Sequence, residues 1–118
     1  EAIDRRRDVR FRRPALSAQV CLAERDLARL RQEQDAENRL AGVGGDRNRV
    51  YFLRGEIHRL EEVAGEARGA LGRAGGPLPC SEPRVAEVAR CLDLGPERAR
   101  ADEGCADEEI DALVRSVR

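Results

Sequence analysis

Side chains capable of covalent or proton-transfer chemistry are sparse in this sequence. His58 is the single histidine, and four cysteines stand at positions 21, 80, 91 and 105. A serine or cysteine nucleophile needs a base held at a fixed relation to it. No such partner is spaced from His58, which follows Ile57 on a charged stretch and reads as a surface residue. Cys21, Cys80, Cys91 and Cys105 are irregularly spaced and contain no C-x-x-C pair, so neither a zinc site nor a disulfide framework is signalled. They are expected to be reduced, mostly buried small side chains, which implies an intracellular, cytoplasmic location. Gly42-Val43-Gly44-Gly45 is not followed by Lys-Ser/Thr and no strand precedes it, so it is not a phosphate-binding loop. The carboxylates are many but fall on charged helical faces. No enzyme activity, metal or cofactor is expected.

The elements that would carry any site are helices. Aromatic residues make up 3% of the 118 residues and charged residues 38%, which leaves core volume to Leu, Val and Ala on helix faces. Threonine is absent and no strand-like alternation occurs, so the fold class is all-α. All 22 basic residues are arginine, against 23 acidic ones, and the near-neutral balance supplies no global field for nucleic acid. No apolar run approaches the roughly 20 residues a membrane span requires, and no signal-peptide core is present. The chain opens at Glu1 and contains no methionine, as expected of a processed product or a segment of a longer protein.

Within 16–71 the apolar spacing has a mirror. Leu16, Val20, Ala23, Leu27 and Leu30 step by alternating threes and fours, and so do Ile57, Leu60, Ala64, Ala67 and Leu71. That is the heptad spacing that keeps one seam on one side of a helix. Reflected about the glycines at 42–45, Leu30 meets Ile57, Leu27 meets Leu60, Ala23 meets Ala64, Val20 meets Ala67 and Leu16 meets Leu71. An antiparallel coiled-coil hairpin follows, with an outgoing arm beginning at Pro14 and a return arm capped by Asp46.

The rest of the chain divides around this hairpin. Residues 1–13 form an arginine-rich arm (Arg5, Arg6, Arg7, Arg10, Arg12 and Arg13), read as a solvated tail or an arm ordered by a partner. Residues 14–74 are the hairpin, 75–83 a Gly/Pro linker, and 84–118 a small appendage of short helices. Ser81 is the expected cap of the first of these, which Gly95-Pro96 should close, and a last helix is expected over 106–117. The stretch 97–111 is acidic. The basic amino end and this acidic carboxyl end could attract each other, or a neighbouring chain.

The mirror breaks near the hinge. Gln34 falls opposite Leu53 and Glu37 opposite Val50, so the return arm stays apolar where the outgoing arm turns polar. Beside them, Tyr51 and Phe52 are two of the three aromatics in the chain and occupy outward heptad positions. Either the C-terminal helices fold over these rings as a four-helix bundle, or Val50, Tyr51, Phe52 and Leu53 form a docking strip, since aromatics are favoured at binding hot spots. The stretch Phe52-Leu53-Arg54-Gly55-Glu56-Ile57-His58-Arg59-Leu60-Glu61-Glu62 resembles the return helix of the coiled-coil hairpin in Gre-type transcript-cleavage factors. That resemblance implies a hairpin. The family's acidic tip and following β-rich domain have no counterpart here, and its activity is not carried over.

The expected function is a non-enzymatic interaction module, a scaffold or adaptor segment that binds an amphipathic helix of another protein, or of a second copy, through the strip near the tip. The alternative is a nucleic-acid- or polymerase-associated regulator using the arginine arm.

Overall fold

The computed structural model describes residues 2–40 and 47–116, with side chains from residue 10 onward. Four helices in order make up an all-α chain: α1 (Ala2–Leu40), α2 (Arg47–Arg73), α3 (Pro83–Arg100) and α4 (Glu108–Ser116), with a short 3-10 turn over Glu103–Cys105 before α4. No strand occurs among the described residues. α1 and α2 pair along their length as a helical hairpin, and α3 with α4 forms an appendage on α1.

The hairpin seam follows the mirror spacing. Leu27, Leu30, Leu53 and Ile57 form one buried cluster with Leu60 against it, and Val20, Ala67 and Leu71 form another with Leu16. Ala23 and Ala64 are buried in the seam between these two clusters. Ion pairs from Arg68 to Glu24, Arg31 to Glu61 (3.6 Å) and Arg49 to Glu33 (2.9 Å) lie along its edges. They are exposed, and each is worth no more than about 1 kcal/mol. Burial of the aliphatic side chains therefore carries the pairing.

The first helix starts earlier than Pro14 suggests. Proline inside a helix removes one backbone hydrogen bond and crowds the preceding turn, yet α1 continues through it to Ala2. Tertiary contacts hold the preceding turn in place. Phe11 packs against the appendage core under the Arg84 guanidinium, 5.3 Å from the ring centre. Arg13 donates through Nε to the Gly76 carbonyl at 2.7 Å. Residues 10–13 are thus ordered by this chain's own linker and appendage, not left as a tail. The side chains of Arg5, Arg6 and Arg7, the hinge at 42–45 and Asp46 lie outside the described residues.

α2 ends as its sequence demands. Gly75 takes φ 103°, and the Gly76 amide donates back to the Leu71 carbonyl at 2.7 Å. This is the left-handed cap that glycine adopts without a Cβ penalty. The linker then returns to α1, where the Leu78 amide donates to Ser17 Oγ at 3.0 Å. Glu82, not Ser81, caps α3 by accepting from the Val85 amide at 3.0 Å. The helix kinks at Gly95, φ 82°, where the sequence placed its end. Asp107 Oδ1 accepts from the Glu109 and Ile110 amides and so starts α4 at Glu108, two residues later than expected.

The largest departure concerns the cysteines. Cys21 is bonded to Cys80, and Cys91 to Cys105. The expectation of reduced thiols is overturned. Spacing along the chain carries no information about a pair closed over 59 residues by helix packing. The first bridge clips the linker to the middle of α1. The second joins α3 to the 3-10 turn inside the appendage core of Ala18, Val85, Val88, Ile110 and Val114. With all four sulfurs paired, none is a thiolate for nucleophilic or metal-binding work.

Candidate interaction surface

The four residues of the proposed strip separate into two environments. α2 begins only three residues before Val50, so the first two turns of the return helix position them all. The helical pitch sends Leu53 into the seam, where it is 0% exposed against Leu27 and Leu30. Val50 is half-buried. Tyr51 and Phe52 point away from α1, at 67% and 56% exposure, and Leu40 at the end of α1 adds a third apolar side chain at 52%. The strip that can meet a partner is therefore Tyr51 and Phe52 with the edge of Val50. Leu53 supports it from below.

Arginines frame the rings. The Arg49 guanidinium lies 5.4 Å from the Phe52 ring centre, and Arg54 lies 5.8 Å from that of Tyr51. Such stacking is worth about 0.5–1 kcal/mol at an exposed site, and it holds two positive charges beside apolar surface. The first turn of α2 contains no acidic residue, and the carboxylate that meets Arg49 comes from Glu33 of α1. Between Asn38 on α1 and Arg47, Val50, Tyr51 and Arg54 on α2 lies a shallow recess of about 210 Å³.

The appendage does not cover these rings. Its contacts are fixed by the Cys21–Cys80 bridge, by Ser17, and by Arg25, whose Nη2 meets Asp93 at 2.8 Å. The Arg25 pairing raises the guanidinium's proton affinity and holds the Asp93 carboxyl below the ordinary aspartate range. All three anchors lie in the first two-thirds of α1, and the rings lie beyond them. The alternative of a bundle folded over Tyr51 and Phe52 is not the arrangement adopted.

The remaining candidates have ordinary surroundings. His58 is exposed beside Glu62, Nε2 to Oε1 3.0 Å. Of the amino-terminal arginines with described side chains, Arg10 and Arg12 are exposed and Arg13 is committed to Gly76. No group of three or more His, Cys, Asp or Glu side chains among the described residues is arranged to hold a metal ion. The exposed Leu40 and the ring-stacked Arg54 were missed by reading the sequence, because neither lies on the seam spacing. No described helix is long and apolar enough to cross a membrane. Comparison with known protein families, characterised proteins and solved structures finds no match for this chain.

Proposed function

We propose that the chain is a non-enzymatic interaction module whose hairpin tip docks on an amphipathic helix, from another protein or a second copy of itself. The observation that supports it is the exposure of Tyr51 and Phe52 side by side on a rigid two-helix support. Large apolar side chains adjacent on a surface and rimmed by charge mark interaction sites more often than isolated ones do. The arginines stacked on them favour a partner with carboxylates flanking its apolar face. Two disulfides close every cysteine, which supports an oxidising compartment as the place of action. The cytoplasmic expectation rested on reduced thiols.

The test uses a synthetic amphipathic helix with leucines on one face and glutamates beside them. Wild-type protein should bind it, and the Tyr51→Ala/Phe52→Ala variant should lose binding with circular dichroism and melting unchanged. Loss of fold in the variant would make the rings core residues. Undiminished binding would put the site elsewhere.

A further inference from the structure

The end of the molecule opposite the tip carries a recess of complementary character. α4, held on α3, leaves with Phe11 of α1 a shallow, open groove of about 400 Å³ walled by Phe11, Ala112 and Leu113. Its rim carries Glu108 and Glu109, neither paired with an arginine among the described residues. The volume falls within the range of pockets that admit small ligands and ring-sized groups, about 300–1,000 Å³. Among the described residues the walls are apolar and the rim holds these two carboxylates with Ser116, while Arg84, stacked on Phe11, is already paired with Asp107. At the tip the order is reversed: aromatic rings project, and arginines flank them.

One copy cannot bring these two surfaces together. Phe11 and Leu40 stand on the same continuous helix, separated by roughly 40 Å at about 1.5 Å per residue, and the molecule is 60 Å in its longest dimension. We infer that the tip of one copy, Tyr51 and Phe52 with Arg47 and Arg54, seats in the groove beside α4 of a second copy, with Glu108 and Glu109 meeting these two arginines. This rests on the tip being a docking surface and names its occupant. The contact joins two different surfaces, so it is heterologous and propagates head to tail, closing into a ring or extending as a filament. A symmetric tip-to-tip pair would instead set Arg54 against Arg54 with no carboxylate from the groove between them, which like-charge repulsion disfavours.

The test is a complementation experiment by light scattering and analytical ultracentrifugation. Wild-type protein should grow beyond a dimer as concentration rises, and raising salt from about 0.05 to about 0.5 M should weaken the assembly by roughly tenfold, because the rim charges are exposed and screened. Tyr51→Ala/Phe52→Ala retains a groove but no tip. Ala112→Arg, at an exposed position of α4, retains a tip but fills the groove with bulk and positive charge. Each variant alone should stay monomeric, and an equimolar mixture should give a 1:1 heterodimer that grows no further. Circular dichroism checks that both fold. A monomeric wild type, or an Ala112→Arg variant that still dimerises, overturns the head-to-tail contact. Binding of the synthetic acidic helix in the same samples then tells whether the tip reading survives without it.

Discussion

The two ends of this molecule are built by different means. At the base, α1, α3, the 3-10 turn and α4 enclose a core of small residues, Ala18, Val85, Val88 and Ala99 among them. Two disulfides cross-link that core, and arginine–aspartate pairs lie on its surface: Arg84 with Asp107 at 3.0 Å and Arg90 with Asp102 at 2.8 Å. Toward the tip, two helices alone face each other through Leu27, Leu30, Leu53 and Ile57, and no covalent link joins them. A short appendage has few residues to bury, and cross-links add stability to its core by limiting the unfolded state. A leucine seam needs no such help. It also leaves the outer face of α2 free to carry rings.

Breaking the cross-links gives the largest expected effect. In the chain-entropy picture, a bridge across 59 residues stabilises by about 4 kcal/mol and one across 14 by about 3 kcal/mol. Cys21→Ser/Cys80→Ser should therefore lower the urea midpoint more than Cys91→Ala/Cys105→Ala. Hydrogen exchange should show the linker and appendage opening first in both, while the tip half of the hairpin keeps its protection. An appendage that stays protected without either bridge would show that its core, not the cross-linking, maintains it.

At the tip, neighbours on one helix should differ most. Leu53→Ala removes a fully buried side chain from the leucine cluster and should cost about 2–5 kcal/mol by denaturant unfolding. Phe52→Ala, one residue away but 56% exposed, should shift stability by no more than about 0.5 kcal/mol. Equal losses would remove the distinction between support and docking surface.

Acid should sharpen the contrast with the smallest effect. Arg90 and the Gly104 amide hold the Asp102 carboxyl below the ordinary aspartate range. For Asp107, burial pushes upward, but hydrogen bonds from Arg84 and from the Ile110 and Glu109 amides outweigh it, and the net direction is also down. Asp93 is lowered by Arg25. Folded values below unfolded ones mean that this stabilisation is complete above the ordinary aspartate value and is lost as pH falls through the depressed folded values. The base should thus loosen below about pH 4, with appendage amide signals in NMR losing dispersion before those of residues 50–60. Simultaneous loss at both ends would mean that the two regions unfold as one unit.

Much of the hairpin was legible because its cause is local and periodic. The threes and fours from Leu16 to Leu30 and from Ile57 to Leu71 name the seam: eight of those ten residues are buried, and Leu16 and Leu60 pack half-buried against them. Gly75-Gly76 and Gly95-Pro96 were readable as breaks because positive φ and a missing amide act within a residue or two. Helix starts were less legible. Pro14 is a local signal overruled by Phe11 and Arg13, whose partners lie more than sixty residues away. Ser81 lost the cap to Glu82 by one residue, and nothing in the composition distinguishes the two. The rings of Tyr51 and Phe52 could be singled out from their heptad positions. Their exposure could not, because it depends on where α3 comes to rest.

Sequence alone determined that this chain is helical, that two arms fold back on each other, and which residues line the seam. Those outcomes follow from helical periodicity and from glycine and proline backbone limits, which act over a few residues at a time. Tertiary structure decided which cysteines pair, that the amino-terminal turn is ordered, and that the appendage anchors around Ser17, Cys21 and Arg25 of α1 and leaves the tip bare. These depend on the direction in which the linker leaves α2 and on the fit of α3 against α1. Such directions are set in three dimensions, and no spacing along the chain encodes them by itself.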